Sequence, residues 1–322
     1  MSTTPAPDLP EEFSFIARHF KPLAGEGALA LSDDAALLSP PPGRELVITA
    51  DAMVAGVHFL PSDPPDLVGR KLLRVNLSDL AAKSATPLGY LLTLCLPKAY
   101  PDRWVAAFAR GLGEDQAEFG VSLLGGDTTS TPGPLTLSVT MLGHVAPGTM
   151  VRRTGAQAGD GLWVTGTIGD GALGLAAAQG KLADPDGFLG DRYRLPRPRN
   201  ALSLSGLAAA ALDVSDGLVQ DVGHLCRAAG LGCDIEAALV PLSDAARALG
   251  PGMLTRCLTG GDDYEIAFAV KPENEAVLAA ASVACGVPVT RIGRFVDGDA
   301  QVRVFDSAGK RLRFAQPGWS HL

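Results

Sequence analysis

Strand-like and helix-like segments alternate along this chain, and the alternation restricts its fold more than any other feature. Strands are predicted in three short segments rich in branched residues: Glu45–Val54, Tyr90–Leu96 and Leu135–Val145. In the last of these, apolar and polar residues alternate, as expected for a strand with one buried face. Two longer segments, 66–84 and 102–119, lie between the strands and have apolar residues at helical spacing. This order favours an α/β architecture over an all-helical or all-strand one.

A second set of the same kind follows the turn at residues 146–148. Its predicted strands and helices are Gly161–Thr165, a helix from about Gly171, Ala211–Val214, a helix over Leu218–Ala229, Tyr264–Val270, and strands near Arg291 and Val302. Charged residues surround three prolines in Lys181–Asn200, which predicts a surface excursion. With 322 residues and 47% hydrophobic content the chain can form two cores, so we expect two α/β domains, residues 1–147 and 148–322.

Charge and cysteine content exclude several classes of protein. The formal net charge of −8 argues against a partner that is nucleic acid or an anionic membrane, because both require a positive face. The five cysteines are scattered and include no Cys-x-x-Cys pair, so neither a disulfide framework nor a zinc knuckle is predicted. The first ten residues lack a secretory pattern, and no apolar stretch is long enough to span a membrane. We therefore expect a soluble, cytoplasmic protein with a small-molecule partner.

Aspartates recur beside apolar segments throughout the chain. The set comprises Asp33, Asp34, Asp51, Asp79, Asp127, Asp213 and Asp216. Taken singly, each is more simply interpreted as a helix cap or turn residue. Taken together they suggest a cluster, since Asp51 interrupts a strand and Asp79 lies within a helix. Two such charges about 4 Å apart repel by roughly 4 kcal/mol at an effective dielectric constant near 20, so a cluster requires cations, and all-oxygen ligands select Mg²⁺-like ions.

Glycine and arginine residues predict phosphate contacts. Glycines in the two Gly-Gly-Asp runs, Gly125-Gly126 and Gly260-Gly261, allow backbone N–H groups to approach phosphate oxygens. The stretch 166–171 (GTIGDG) follows a strand and opens a helix, but it is equally consistent with an ordinary turn because it lacks the P-loop ending. Of Arg152 and Arg153, one is expected to bind phosphate, although paired arginines on a loop are often simply solvated.

Other chemistry is weakly indicated. No Gly-x-Ser-x-Gly elbow is present, and the isolated His58 is more simply interpreted as structural. Trp319 is either a packing anchor or a lid over a ring-shaped ligand.

The segments together, in their order, resemble one family. They are EFSFIARHF from Glu12, SDDAALL, TADAMVAGVHF, VNLSDLAAKSATPLGYLL, LLGGDTT, RRTGAQAGDGLWVTGTIGD, LDVSDGL, GGDDYEIAF and the terminal GWSHL. The chain resembles the thiamine-monophosphate kinase family, in the superfamily that includes aminoimidazole ribonucleotide synthetase and selenophosphate synthetase. The composite of VNLSDLAA, GGDTT and SDGL is far more specific than any one of its parts.

This resemblance implies a fold and an activity. It implies two α/β domains and a homodimer that pairs through the N-terminal sheets. The N-terminal domain would contain most metal aspartates and the dimer interface, and the C-terminal domain would complete the ATP and substrate site. The implied reaction is phosphorylation of thiamine monophosphate by ATP with Mg²⁺, by direct in-line transfer and without a covalent nucleophile. Two rivals remain: another ATP-using enzyme of the superfamily with a different acceptor, and a noncatalytic nucleotide-binding protein.

The resemblance also assigns residues. Metal positions are Asp34, Thr49, Ala50, Asp51, Asp79, Asp127, Asp213 and Asp216; ATP contacts are Gly126, Asp127, Arg153 and Ser215; substrate contacts are His58, Asp262 and Trp319. Three positions depart from the family's usual pattern: Ser32 stands in place of Gly, Ala50 in place of Thr, and Asp262 in place of Glu. Ala50 could offer only its backbone carbonyl, and Asp262 reaches one methylene less far.

Overall fold

The computed structural model describes residues 11–98 and 100–320 of the chain. Within these residues the chain forms two compact units. The first comprises residues 11–40, 50–73 and 87–142, and the second comprises residues 41–49, 74–86 and 143–320. The predicted domain boundary at residue 147 stays a prediction. None of the helices in residues 11–98 and 100–320 has the length and apolar character needed to cross a membrane.

Helices and strands alternate as the sequence predicts, and the α/β class is confirmed. The helices are α1 Glu11–His19, α2 Pro65–Ala82, α3 Asp102–Phe119, α4 Asp170–Ala178, α5 Phe188–Arg194, α6 Leu218–Ala229, α7 Asp244–Ala248, α8 Leu254–Thr259 and α9 Glu275–Cys285. The strands are β1 Glu45–Val54, β2 Thr86–Pro97, β3 Ser122–Thr131, β4 Thr136–Val145, β5 Gly161–Thr165, β6 Ala208–Val214, β7 Gly232–Glu236, β8 Glu265–Val270, β9 Val289–Val296, β10 Val302–Phe305 and β11 Arg311–Leu312.

The first sheet has four strands in the order β1-β4-β2-β3, and β2 and β3 are parallel. Alternate residues of β4 are buried, among them Leu137, Val139 and Met141, as the period-2 pattern predicts. Strand β1 is different, because its exposed face is apolar: Leu46 and Ile48 are 43% and 62% exposed. A sheet face of this kind remains available for a further contact.

The second sheet has seven strands in the order β11-β10-β7-β9-β5-β8-β6, and its pairing is mixed. All six residues of β8 are buried. Ala267 packs in one apolar cluster with α6, whereas the neighbouring Phe268 packs in another that includes Leu278 of α9. Because successive side chains of a strand point to opposite faces, both faces of this sheet are covered.

Two segments differ from the sequence-based expectation. The two glycines of GGDTT lie inside β3, where a Cβ on Gly126 would stand 1.8 Å from the carbonyl oxygen of Leu92 on β2. The close packing of β2 against β3 therefore requires glycine at position 126, in addition to the phosphate contact predicted from the sequence. The predicted surface excursion 181–200 is only partly correct. Residues 181–188 are exposed or half-buried, whereas Arg192 and Tyr193 of α5 are buried, and Arg192 pairs with the buried Glu265.

An unusual turn precedes the Ser32-Asp33-Asp34 sequence. Leu29, Ala30 and Leu31 have φ angles of 51°, 58° and 55°. Residues with a Cβ avoid this left-handed region, at a cost of roughly 1–2 kcal/mol each. Three successive residues of this kind store strain beside Asp34, a predicted metal ligand.

Candidate functional site

The turn between β6 and α6 is held by one buried carboxylate. Oδ2 of Asp221 accepts the backbone N–H groups of Ser215, Asp216 and Gly217, at 3.0, 2.9 and 3.1 Å. Burial raises the pKa of Asp221 to about 7, and these three N–H groups oppose the shift. The amides of the Ser215–Gly217 turn are thus engaged by the protein itself. Its half-buried side chains, Ser215 and Asp216, remain for a ligand.

A second buried aspartate holds the turn that opens α4. Asp263, which is 0% exposed, accepts the N–H groups of Gly169 and Gly171 at 2.7 and 2.9 Å. Burial raises the pKa of this carboxyl well above its usual range. The glycine-rich stretch 166–171 is therefore a turn capped from within the fold, and four of its N–H groups are already bonded: those of Gly169 and Gly171 to Asp263, and those of Gly166 and Ile168 to backbone carbonyls. Of the two interpretations of this stretch, the geometry favours the ordinary strand-to-helix turn.

An ion-pair network surrounds the start of β8. Glu265 is buried and accepts hydrogen bonds from Nη2 of Arg192 at 2.9 Å, Nε of Arg199 at 2.6 Å and Oγ1 of Thr165 at 2.7 Å. The Nε atom of Arg192 also lies 3.8 Å from a carboxylate oxygen of Asp170. A buried carboxylate requires such partners, because removing one leaves an uncompensated charge. The network fixes the chain next to residues 262–264.

Asp262, a predicted substrate contact, lies beside the Ser215–Gly217 turn. Its N–H donates to the carbonyl of Ser215 at 2.8 Å, and the N–H of Tyr264 donates to Val214 at 2.8 Å. Both Asp262 and Tyr264 have positive φ angles, 71° and 51°. Strain of this kind clusters at functional sites. The structure thus brings together Ser215, predicted to contact ATP, and Asp262, predicted to contact the substrate.

Two of the predicted metal aspartates are tied to adjacent hydroxyl groups. Oγ1 of Thr49 donates to Oδ2 of Asp79. Ser78, which precedes Asp79 on α2, donates from Oγ to Oδ2 of Asp213 at 2.9 Å. Both carboxylates are half-buried. Thr49 therefore contacts Asp79, and the residue before Asp79 contacts Asp213; the aspartate cluster itself stays a prediction.

Lys83 belongs to the same neighbourhood, and the sequence reasoning missed it. Its Nζ donates to the carbonyl of Ala211 on β6 at 2.8 Å. Burial lowers the pKa of Lys83 to about 8; the charge of Arg153 lowers it further, and Asp213 and Asp79 oppose the shift. A lysine near the end of a predicted helix is typical of a solvated surface residue, so only the fold reveals its partner.

Trp319 is attached to the Ser215–Gly217 turn through its backbone. Its N–H donates to the carbonyl of Asp216 at 2.9 Å, and its carbonyl accepts from Nε2 of Gln220 at 2.5 Å. The side chain itself is 54% exposed. The indole is therefore not a core packing anchor. Residues 321 and 322 of the GWSHL motif lie outside the described residues.

The predicted site residues of the first unit lie on strands and turns. Asp34 and Asp127 are exposed, as are Gly126 and Ala50, and the carbonyl of the half-buried Asp51 accepts from Oγ of Ser138 at 3.0 Å. In the described ranges 11–98 and 100–320, no three His, Cys, Asp or Glu side chains group closely enough to form a metal site by themselves.

His58 has structural partners. Its Nδ1 accepts the N–H of Val54 at 3.0 Å, and its carbonyl accepts from Nζ of Lys71 at 3.1 Å. The first bond fixes the ring orientation.

Comparison with known proteins reveals close relatives. The chain matches the AIR synthase related proteins, in their N-terminal domain over residues 32–145 and in their C-terminal domain over residues 157–305. It is 46% identical to the thiamine-monophosphate kinase of Caulobacter vibrioides, covering 99% of this chain and 93% of that one. The crystal structure of thiamine-monophosphate kinase from Stenotrophomonas maltophilia K279a is similar with a TM-score of 0.80 at 40% identity, covering 88% and 91%. The structure of AaThiL complexed with AMPPCP and TMP is similar with a TM-score of 0.78 at 29% identity, covering 99% and 100%.

Proposed function

Because the chain belongs to the thiamine-monophosphate kinase family of the AIR synthase related proteins, we propose that it phosphorylates thiamine monophosphate with ATP. The product is thiamine diphosphate. Relatives of this name align over nearly the whole chain, and one solved relative is complexed with AMPPCP and TMP. The proposal assigns this chain the same pair of ligands.

One observation in the second unit supports the proposal most directly. Asp213 accepts a hydrogen bond from Ser78, the residue before Asp79, and the charges of Asp79 and Asp213 both act on Lys83. Asp213 also lies near the end of β6, just before a turn whose backbone amides are already bonded to Asp221. Phosphate groups bound here therefore cannot depend on those amides. They require cations, and Arg153 together with Mg²⁺ can supply them.

The donor set fits Mg²⁺, because its side-chain donors are oxygen atoms. Mg²⁺ is usually held by one or two carboxylates together with substrate phosphates and water, so a cage built only from protein side chains is not needed. We assign Thr49, Asp79, Asp213 and Asp216 to this role in the second unit. In the first unit we assign Asp34, the carbonyl of Ala50, Asp51 and Asp127. When bound, Mg²⁺ neutralises phosphate charge and helps to align donor and acceptor.

The residues of the chain bind and orient the two substrates. Arg153 pairs with ATP phosphate oxygens, and Ser215 and Gly126 complete the nucleotide contacts. His58, Asp262 and Trp319 contact the thiamine moiety, whose thiazolium ring is positively charged. Asp262 offers that ring a carboxylate, and Trp319 offers an exposed aromatic face. Transfer is direct, because the acceptor phosphate is already ionised at neutral pH and needs little base catalysis.

We also propose that the protein is a homodimer. One face of β1 is formed by four exposed apolar residues, Leu46, Ile48, Ala50 and Ala52. An exposed apolar strip on a sheet is unfavourable in water, and it is suited to pairing with the same strip of a second copy.

The decisive experiment incubates pure protein with ATP, Mg²⁺ and thiamine monophosphate and separates the products by chromatography. Thiamine diphosphate and ADP are expected in equal amounts. Asp213→Asn keeps an acceptor for Ser78 but removes a charge, so kcat should fall by roughly 100-fold or more. Asp244→Asn is the matched control, since that side chain is 99% exposed, and its activity should be unchanged.

Two outcomes would favour the rival functions. Turnover of ATP only with a different phosphorylated acceptor would indicate another enzyme of the superfamily. Binding of ATP without any transfer would indicate a noncatalytic nucleotide-binding protein.

Substrate contacts are separated from phosphate contacts by a second pair of variants. Trp319→Ala removes a stacking face worth about 0.5–1.5 kcal/mol, which raises KM for thiamine monophosphate roughly 2- to 13-fold and leaves KM for ATP unchanged. Asp127→Asn should instead lower kcat by about 100-fold. Equal weakening of both substrates in Trp319→Ala would contradict the assignment of Trp319.

A further inference from the structure

We propose that Gln220 is a positioning residue that sets the substrate-facing orientation of Trp319. The inference rests on the proposed function, because it takes Trp319 as a contact of thiamine monophosphate. It concerns the C-terminal segment, residues 315–320, and its attachment to the first turn of α6. In the hydrogen bonds described above, Gln220 contacts Trp319. It contacts neither a side chain assigned to the metal nor a residue assigned to the nucleotide, so its effect is expected to pass through Trp319.

Gln220 lies next to Asp221 on α6, and the two adjacent side chains act in different directions. Asp221 is buried and bonds the Ser215–Gly217 turn from inside the unit. Gln220 is half-buried, and its Nε2 donates to the backbone carbonyl of Trp319. A single helical turn therefore fixes both the loop that presents Asp216 and the segment that presents the indole.

The contact is reinforced by the residue before Trp319. A Cβ on Gly318 would lie 2.5 Å from Cβ of Gln220 and 2.7 Å from the carbonyl oxygen of Asp216. Only glycine allows the backbone this close to α6. The N–H of Trp319 then donates to the same Asp216 carbonyl at 2.9 Å. Gly318 and Trp319 are thus docked by close backbone packing, which Gln220 completes.

The preceding chain gives this segment little support. The last strand, β11, ends at Leu312, and Phe314 is half-buried against the core of the second unit. Residues 315–317 are exposed, and so is the side chain of Trp319. An exposed indole stacks on a ligand with higher affinity when its backbone is already held in place, because ordering the segment during binding costs free energy. Gln220 therefore contributes to affinity by holding the segment before the ligand arrives.

The test compares two variants that undo the docking by different means. Gln220→Met removes the amide donor while keeping a side chain of similar length, and Gly318→Ala inserts the methyl group that the packing excludes. Gln220→Met should raise KM for thiamine monophosphate about 2- to 10-fold, the range expected for one net hydrogen bond, with kcat and KM for ATP unchanged. Gly318→Ala should raise the same KM by at least as much. Gln179→Met is the matched control, because Gln179 is exposed at the end of α4 and should behave as wild type.

A second readout follows Trp319 without catalysis. In a Trp104→Phe, Trp163→Phe background, Trp319 is the sole tryptophan of the chain. Its fluorescence anisotropy should fall, and its quenching by acrylamide should rise, in Gln220→Met and in Gly318→Ala. A positioning role predicts both the KM change and the fluorescence change, whereas general destabilisation would lower kcat and affect both substrates.

The outcomes separate this inference from the function on which it rests. If Trp319→Ala raises KM for thiamine monophosphate but Gln220→Met and Gly318→Ala leave it at the wild-type value, the positioning role is overturned. If the wild-type protein does not phosphorylate thiamine monophosphate, the proposed function fails. In that case unchanged fluorescence in Gln220→Met overturns the positioning contact as well, and increased mobility of Trp319 upholds it.

Discussion

Replacing Asp221 by alanine removes one acceptor that serves three backbone donors. The N–H of Gly217 is left in a buried position, where an unsatisfied donor costs about 1–3 kcal/mol. The N–H groups of Ser215 and Asp216 are partly buried and can gain water, which suggests about 0.5–1.5 kcal/mol each. Together the loss is about 2–6 kcal/mol, and at about 2–4 °C per kcal/mol it lowers Tm by at least about 4 °C.

The isosteric variant separates the acceptor from its charge. Asp221→Asn keeps a carbonyl oxygen for the three N–H groups and removes a carboxylate whose pKa burial raises to about 7. Its loss should be smaller, about 1 kcal/mol or less. Differential scanning calorimetry on both variants, with Asp244→Ala as the exposed control, measures the difference. The reasoning fails if Asp221→Ala melts within about 1 °C of wild type, or if Asp221→Asn is equally destabilised.

Three further predictions concern the metal, the dimer and a buried thiol. EDTA should abolish kinase activity and Mg²⁺ should restore it, while the circular dichroism spectrum stays unchanged; activity in metal-free buffer would contradict the Mg²⁺ assignment. Light scattering should give a mass near twice 33.2 kDa, and Ile48→Lys on the apolar face of β1 should shift it toward the monomer. Burial raises the pKa of Cys257 to about 12, so its thiol should resist iodoacetamide at pH 9 until the protein unfolds. Because the folded state then keeps a proton that the unfolded state loses, this thiol makes stability fall as pH rises from about 9 to about 12, which pH-dependent urea titration of wild type against Cys257→Ser measures.

Helices and strands were predictable where the periodicity of apolar residues agrees with capping or turn residues at the ends of the segment. The bounds of α3 and α6 follow from the sequence, because a glycine comes directly after each helix and adopts a left-handed conformation there. Strand β3 was harder, since its two central glycines read as a loop. At position 126 glycine is required, because the adjacent strand approaches too closely for a side chain.

The candidate site was predictable only in its outward-facing side chains. Family-like motifs single out Asp79, Asp213 and Ser215, whose ligand contacts stay a prediction. The sequence pattern does not identify the residues whose side chains hold the turns. Asp263 bonds to glycines 94 and 92 positions away in the chain, and no local pattern reports such a distance. Asp221, within an amphipathic helix, looks like an ordinary polar surface residue until the fold is known.

The left-handed turn at Leu29–Leu31 has a consequence for how this chain tolerates mutation. At most positions a glycine substitution loosens the unfolded chain and lowers stability. Here the native φ angles, 51°, 58° and 55°, are ones that glycine adopts without strain. Deep mutational scanning should therefore find that glycine and asparagine are accepted at the exposed Leu29 and Ala30, whereas isoleucine and valine are rejected. A substitution in this turn would therefore be accepted or rejected according to whether the new residue can adopt a positive φ angle, and not according to whether its side chain is apolar.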